Sequence, residues 1–204
     1  RALFENPTVA QLAAQIEAAL QKGAVSAAPV IVPVARDGEL PLSFAQQRLW
    51  FLHQLEPTSA VYNCPAAMWF VGPLNLAALG QSFNEVVRRH EVLRTSFSAR
   101  DGSPVQIVAP SLQVPLSVID LNGLAAGEVE AEIERLSRLE AERAFDLSQD
   151  VLLRTTVLRV NEAEHVVLVT MHHIVSDGWS IGVLVKEVAA LYEAYAQGNA
   201  VTLK

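Results

Sequence analysis

Residues 172–178, HHIVSDG, are the part of this sequence best suited to do chemistry. They place two histidines, an aspartate and a glycine between a strongly apolar stretch and an amphipathic one. Histidine is the side chain that changes charge near neutral pH without environmental help, and a connector carried by rigid elements can aim it at a substrate. The pattern therefore predicts an active-site loop, called here the histidine loop (residues 172–178).

Metal binding is one possible use of this loop. Adjacent side chains on an extended backbone point to opposite sides, so His172 and His173 cannot easily bind the same ion. The sequence also has no second His/Cys cluster that would complete a tetrahedral site. We therefore expect no bound metal.

Nucleophilic catalysis is a second possibility. Ser176 is not surrounded by a Gly-x-Ser-x-Gly pattern, and no local motif marks Cys64 as an activated thiol. We expect Ser176 to be a hydrogen-bonding residue of the loop. Cys64 is expected to be a small apolar filler.

Acid–base or positioning chemistry by one histidine is the third possibility. If a strand ends near Met171, alternation sends one histidine into the protein and the other toward the open side. A helix that starts around 177–180 would direct backbone N–H groups at the same region, where they favour a neutral imidazole and stabilise negative charge on a carbonyl oxygen. Gly178 would permit close backbone approach, and Asp177 could orient a histidine or pair with an arginine.

The elements that must position the loop are a mixture of α and β. The stretch at 164–171 is almost continuously apolar, which is typical of a strand covered on both faces, and it is followed by a helix from about 180 to 197. Periodicity, caps and turns predict the remaining elements. These are helices starting at Ser43 with a Ser43/Gln46 capping box, after Asn75 and over 126–145, strands at 66–71, 114–119 and 151–160, and a hairpin around Asp101-Gly102.

Composition limits the class of function. The chain of 204 residues is 51% hydrophobic and 18% charged, as expected for a globular protein. A net charge of −7 argues against nucleic acid as the main partner, and no stretch resembles a membrane span or a signal peptide. The single cysteine fits a reducing cytoplasm, which is the expected location.

The N-terminal part differs in character from the rest. Residues 6–20 predict an amphipathic helix that Lys22-Gly23 would end. Residues 24–40 have the Ala, Val, Ser and Pro composition of a linker, with a turn at Asp37-Gly38. The start at Arg1, without methionine, suggests a segment cut from a longer polypeptide.

Three motifs resemble those of one family. MHHIVSDGWS, at 171–180, resembles the HHxxxDG motif of condensation domains of nonribosomal peptide synthetases. SFAQQRLWFL, at 43–52, is similar to the opening motif of that family, and RHEVLRTSF, at 89–97, is similar to its second motif. LFENPTVAQLAAQI, at 3–16, resembles the last helix of a peptidyl carrier domain.

The resemblance implies a fold and an activity. The fold would be α/β, a chloramphenicol acetyltransferase-like two-layer sandwich lobe in which a mixed sheet packs with helices. The activity would be amide-bond formation, in which the amine of an aminoacyl group on the downstream carrier attacks an acyl or peptidyl thioester on the upstream carrier. No cofactor would be bound directly, because the substrates are carried on phosphopantetheine arms of carrier domains.

The resemblance also implies roles for individual residues. His173 would accept or position the amine proton, and Gly178 would help to stabilise the tetrahedral oxyanion. His172 would support the loop from inside. Asp177 would be architectural and ion-paired with Arg89, and Arg94, in the second motif, would be a further structural charge.

By resemblance, the chain divides into a carrier-helix remnant (1–23), an interdomain linker (24–40) and the N-terminal lobe of a condensation domain (41–204). The C-terminal lobe is expected to be missing, which would leave the fragment inactive alone. Expected partners are that lobe, the upstream and downstream carrier domains and a neighbouring adenylation domain. Alternatives are a stand-alone CoA-dependent acyltransferase and a noncatalytic module that docks carrier proteins.

A few further side chains carry expectations. Arg48 of the first motif either covers apolar surface with its stem or lines the substrate tunnel. Trp50 and Trp179 are expected to be packing residues. LEPTSAVYN, at 55–63 after the opening motif, and SDGWS, at 176–180, are most similar to condensation domains that join an L-configured donor to an L-amino acid.

Overall fold

The computed structural model describes residues 2–21, 30, 32–35 and 40–199. The chain forms two units, residues 1–37 and residues 38–204. The first unit contains helix α1 (Ala2–Glu5) and helix α2 (Val9–Gln21). The predicted helix at 6–20 therefore begins later than expected, because Thr8 and Gln11 form a capping box before Val9. No residue of α2 is buried.

Most of the predicted linker at 24–40, including the Asp37-Gly38 turn, lies outside the described residues, as does the helix end at Lys22-Gly23. Residues 30 and 32–35 have no regular secondary structure.

The second unit contains the predicted helices and strands in the predicted order with shifted ends, and one short strand, β1, that was not predicted because Leu40 was assigned to the linker. Its elements are β1 (Leu40–Pro41), α3 (Phe44–Leu55), β2 (Asn63–Val71), α4 (Leu76–Arg89), β3 (Thr95–Arg100), β4 (Ser103–Val108), β5 (Leu116–Asp120), α5 (Ala126–Glu142), β6 (Leu153–Asn161), β7 (Glu164–His172) and α6 (Gly178–Ala196).

Several local predictions are confirmed. Ser43 and Gln46 form the capping box of α3, in which the Ser43 N–H donates to Gln46 Oε1 at 2.9 Å. Asn75 caps α4 through its side-chain oxygen, 3.1 Å from the Ala78 nitrogen. The turn at Asp101-Gly102 joins β3 and β4 with φ of 50° and 78°, the left-handed geometry of a two-residue hairpin turn.

The main sheet has the strand order β2-β7-β6-β5. β7 is antiparallel to both of its neighbours, and β5 is parallel to β6. β2 starts at Asn63, three residues before the predicted start, because an edge strand tolerates Pro65. A smaller sheet has the order β1-β4-β3.

β7 is covered on both faces, as its apolar sequence predicted. Val167 and Val169 belong to a cluster that includes Phe83 of α4 and Leu191 of α6. On the other face, Val166 and Leu168 belong to a smaller cluster against which Ile133 and Leu136 of α5 pack. A mixed sheet between helices is the α/β architecture that was predicted, and it holds the end of β7 rigidly.

Helix α5 ends at Glu142, three residues before the predicted end, because side chains from the sheet bind its last carbonyl groups. Asn63 Nδ2 donates to the carbonyls of Ala141 and Arg143 at 2.7 and 2.9 Å. Arg154 Nη2 donates to the carbonyls of Glu140 and Arg143, and its guanidinium lies 3.6 Å from the centre of the Phe145 ring. These contacts join α5 to β2 and β6.

No helix in the described part of the chain has the length and apolar character needed to span a bilayer.

Candidate active site

The histidine loop runs from the last residue of β7 to the first turn of α6. Helix α6 begins at Gly178, two residues earlier than predicted, because Asp177 is its N-cap. An Asp177 carboxylate oxygen accepts from the Ser180 backbone N–H at 2.8 Å, and the Asp177 N–H donates to the Ser180 hydroxyl at 2.7 Å. These hydrogen bonds from Ser180 hold the pKa of Asp177 below its ordinary value.

His173 is exposed and fixed at both its backbone and its ring. Its backbone N–H donates to the Tyr62 carbonyl at 2.8 Å. Its Nδ1 lies 2.5 Å from the Ser176 carbonyl oxygen. A carbonyl oxygen can only accept, so Nδ1 carries a proton, and the neutral ring keeps its lone pair at Nε2. The imidazole is therefore set up to accept a proton or a hydrogen bond at Nε2.

His172 has the opposite orientation. It is buried, with 3% of its surface exposed, and its Nδ1 accepts from the Ile174 backbone N–H at 3.0 Å. Burial, with smaller contributions from the charges of His53 and His173, lowers the pKa of His172 to about 4. His172 is therefore neutral at pH 7. The prediction that strand alternation separates the two histidines is confirmed.

A cavity of about 580 Å³ lies in front of His173. One wall is the histidine loop, from His173 to Asp177, and the other is the N-terminal part of α3, with Tyr62 beside it. Arg48 belongs to this lining, which is one of the two alternatives that the sequence left open. The proton acceptor His173, the cation Arg48 and the N-terminal end of the 19-residue helix α6 thus surround one cavity.

Comparisons with known proteins fit this geometry. The family model described as Condensation domain matches residues 36–204, and therefore most of the chain. The chain belongs to the condensation domain family. Its relatives include synthetases of nonribosomal peptides.

A linear gramicidin synthase from Brevibacillus parabrevis is 50% identical over 200 residues, which are 98% of this chain and 4% of that protein. A probable non-canonical nonribosomal peptide synthetase, CymA, of Salinispora arenicola is 43% identical over 199 residues, 98% of this chain and 2% of that protein. The chain thus spans a small fraction of these relatives.

Solved condensation domains have the same fold. The starter condensation domain of rhizomide synthetase superposes with a TM-score of 0.75 at 25% identity, covering 82% of this chain and 40% of that one. The first condensation domain of the calcium-dependent antibiotic synthetase, solved with a substrate analogue, gives 0.74 at 26% identity with the same coverage. The chloramphenicol acetyltransferase-like fold that the resemblance implied is confirmed, and the chain corresponds to part of the domain.

The expected ion pair between Asp177 and Arg89 of this condensation domain is wrong. Among the described residues, Arg89 pairs with Glu187 in the middle of α6, with Arg89 Nε 3.4 Å from Glu187 Oε1. Asp177 lies ten residues earlier, about 15 Å along a helix with a 1.5 Å rise per residue. Asp177 remains architectural, but as a helix cap.

The structure brings together only some of the predicted site residues. His172, His173, Asp177 and Gly178 lie in the histidine loop, whereas Arg94 joins the second motif to the end of β4 by donating to the Ala109 carbonyl at 2.7 Å. Gly178 is exposed, and a Cβ atom built on it would meet nothing within 4 Å. The open space in front of its backbone is compatible with close approach by a ligand.

Ser176 and Cys64 have the structural roles that were predicted. The Ser176 hydroxyl donates to the His172 carbonyl at 3.0 Å and is buried in the loop. Burial raises the pKa of the Cys64 thiol, which disfavours the nucleophilic thiolate.

The two tryptophans differ in burial. Trp50 packs against the main core, as predicted. Trp179, the second residue of α6, is 84% exposed, so the prediction that it packs is wrong.

Sequence reasoning missed two residues that hold the loop. Tyr62 supplies the carbonyl that accepts from His173, and Gln46 Nε2 lies 3.4 Å from the Ile174 carbonyl. Gln46 thereby connects the capping box of α3 to the loop. The only sequence signals were their places in or next to the first motif, because both contacts join residues more than a hundred positions apart.

Proposed function

We propose that the chain is the N-terminal lobe of a condensation domain that forms an amide bond between two carrier-bound substrates. The donor is an acyl or peptidyl thioester, and the acceptor is the amine of an aminoacyl thioester. The observation that carries the proposal is the orientation of His173. Its protonated Nδ1 is directed to the Ser176 carbonyl, which leaves the Nε2 lone pair available beside the cavity.

The reaction needs a proton acceptor near the attacking amine. The amine nitrogen attacks the thioester carbonyl carbon, and a new C–N bond forms as the carbonyl oxygen becomes an oxyanion. In this proposal Nε2 of His173 accepts the amine proton or positions the amine through a hydrogen bond. The C–S bond then breaks, the carbonyl re-forms, and the leaving thiolate takes up a proton.

The oxyanion needs hydrogen-bond donors that are already in place. The Asp177 cap binds the Trp179 and Ser180 N–H groups, whereas the Gly178 N–H lies at the positive end of the dipole of α6. Gly178 is the first helical residue, and the space that a Cβ atom would occupy there is open. We assign to its N–H the stabilisation of the tetrahedral intermediate.

The other predicted site residues support this arrangement without contacting substrate. His172 fixes the loop from inside through Ile174, and Asp177 caps α6. Arg89 holds α6 through Glu187, and Arg94 holds the end of β4.

Carrier domains and a second lobe complete the proposal. Residues 1–23 would be the last helix of an upstream carrier domain and residues 24–40 a linker. The chain covers 40% of the solved condensation-domain chain, so the opposite wall of the tunnel would come from a C-terminal lobe, without which the fragment would be inactive. Further partners would be the downstream carrier and an adenylation domain. Phosphopantetheine arms of the carriers would bring both substrates.

The motif sequences favour a domain that joins an L-configured donor to an L-amino acid. The single cysteine favours a location in the reducing cytoplasm.

The test uses a two-lobed condensation domain that contains this chain, with loaded donor and acceptor carriers. His173→Asn keeps a donor near the position of Nδ1 and removes Nε2, whereas His173→Ala removes both. We expect both variants to lose about 100-fold or more in the rate of dipeptidyl thioester formation, followed by mass spectrometry of the acceptor carrier. A rate equal to that of the unmodified domain would contradict the role of His173, and no amide formation by the unmodified domain would favour a noncatalytic docking module. Efficient transfer from a free CoA thioester would favour a stand-alone acyltransferase.

A further inference from the structure

Two cavities of the described structure meet at one residue, Tyr62. The larger cavity contains His173 and has a volume of about 580 Å³. A smaller cavity of about 170 Å³ lies on the side of His172, between the C-terminal half of α3 and the segment that precedes β2. Tyr62 is the described residue that lines both. Tyr62 therefore lies between the two cavities, with its carbonyl toward His173 and its ring toward His172.

The backbone of Tyr62 is held in place. Its carbonyl accepts from the His173 N–H at 2.8 Å. The next residue, Asn63, begins β2, pairs with His172 and donates to two carbonyls at the end of α5. The Tyr62 ring is tilted by 53° to the His172 ring, with 6.4 Å between their centres. The backbone of Tyr62 cannot shift without breaking contacts that also hold the histidine loop.

The smaller cavity suits an apolar group. Leu52, Leu55 and Val61 contribute to its lining. Its two histidines, His53 and His172, both have a pKa lowered by burial, so they present neutral rings at pH 7. The charged residue in the lining, Glu56, is exposed. An apolar cavity of about 150 Å³ is large enough for a benzene-sized ligand. The space behind Tyr62 is therefore large enough for an aromatic or branched side chain.

We infer that Tyr62 is a specificity-determining residue, whose ring closes off the smaller cavity and limits the size of the substrate side chain that fits beside His173. The inference rests on the proposed amide-forming function. The substrate side chain concerned is apolar, because that is the chemistry of the space behind the ring. Removal of the ring joins the two cavities and shifts the preference from small to large side chains.

The experiment compares Tyr62→Ala with the matched control Tyr62→Phe in the two-lobed condensation domain. Soluble thioesters of alanine and phenylalanine are offered in separate series, first as donors and then as acceptors, and kcat/KM is measured for each. In at least one series we expect Tyr62→Ala to raise the ratio of kcat/KM for phenylalanine to that for alanine by about tenfold or more. Tyr62→Phe keeps the ring and should leave both ratios within a factor of about two of the unmodified domain.

The inference is overturned if Tyr62→Ala leaves the phenylalanine-to-alanine ratio of kcat/KM unchanged in both series. It is also overturned if Tyr62→Phe shifts this ratio as much as Tyr62→Ala does, because loss of the hydroxyl group would then be responsible. If Tyr62→Ala does not fold, Tyr62→Leu replaces it, and its ratio decides in the same way. An unmodified domain that forms no amide with any substrate contradicts the proposed function, whereas a working domain with unchanged ratios contradicts only the role of Tyr62.

Discussion

Glu187 Oε2 lies 2.6 Å from Nε2 of His90, the C-cap of α4. The other carboxylate oxygen of Glu187 lies 3.4 Å from Arg89 Nε, so one half-buried acidic side chain of α6 contacts two consecutive residues of the second motif. This contact explains what Arg89 and His90 of that motif do. It joins the end of α4 to the middle of the helix whose first turn borders His173.

Loss of the Glu187 carboxylate should destabilise the domain. Glu187→Ala leaves Arg89 and His90 without this acceptor in a partly buried site, and we expect the free energy of unfolding in urea to fall by about 2 to 3 kcal/mol. Glu187→Gln keeps a hydrogen-bond acceptor, so its free energy of unfolding should fall by less than that of Glu187→Ala. Glu193→Ala, an exposed change on the same helix, is the control and should stay within about 0.5 kcal/mol. Equal losses for Glu187→Ala and Glu193→Ala would contradict the role of the contact.

His172 should make the stability of the domain depend on pH. Its pKa is lowered to about 4 in the folded state, while an unfolded histidine titrates near 6.5. The unfolded chain therefore binds a proton that the folded chain does not, and stability is lost as pH falls from about 6.5 toward 4. This histidine alone contributes on the order of 3 kcal/mol, present in full above pH 6.5.

The measurement compares the unmodified chain with His172→Asn, which keeps an acceptor for the Ile174 N–H but does not titrate. Between pH 7.5 and 4.5, the free energy of unfolding of the variant should fall by roughly 2 kcal/mol less than that of the unmodified chain. Other titrating groups are present in both proteins and cancel in the difference. Parallel pH profiles would show that His172 is not responsible.

Asp177 acts through its geometry, and its charge is secondary. Asparagine is as good an N-cap as aspartate, so Asp177→Asn should leave the unfolding temperature and the rate of amide formation close to those of the unmodified domain. Asp177→Ala removes the cap, and we expect a lower unfolding temperature together with slower amide formation. Thermal unfolding and the dipeptidyl thioester assay report the two effects. A loss of activity in Asp177→Asn at unchanged stability would point to a role for the carboxylate charge.

A substitution at Gly178 should lower activity without lowering stability. A Cβ atom at this position would meet nothing within 4 Å, so Gly178→Ala is expected to fold with unchanged or slightly higher stability. The added methyl group would occupy the space that the reacting carbonyl needs, and kcat/KM should fall about tenfold or more. Thermal unfolding and steady-state kinetics of the two-lobed domain test both statements. Full activity in Gly178→Ala would remove Gly178 from the proposed oxyanion site.

The site was predictable from the sequence where local rules determine the geometry. Alternation along β7 was enough to predict that one histidine points inward and the other outward, because side chains of a strand leave on alternate faces, and the family resemblance indicated that His172 is the inner one. The capping box of Ser43 and Gln46 was equally local. The fold class followed from the order of periodic segments and the apolar character of β7.

Contacts that depend on how helices pack could not be predicted in this way. The partner of Arg89 depends on the relative position of α4 and α6, and the family resemblance implied Asp177 instead of Glu187. Gln46 and Ile174 are 128 residues apart, so no periodicity could have connected them. Trp179 was wrongly expected to be buried, because helical spacing does not show which side of the first turn of α6 faces solvent.

The pairing of β2 with β7 has a consequence for biosynthesis. Asn63 pairs with His172 and Val71 pairs with Glu164. The ribosome must therefore add about a hundred residues after β2 before the partner strand β7 has been synthesised. At roughly 5 to 20 residues per second, translation leaves the apolar edge strand unpaired for roughly 5 to 20 seconds. Long-range pairing of this kind raises the contact order and slows folding. The emergence of β7 from the ribosome supplies the missing partner of β2, and the residue after β7 is His173.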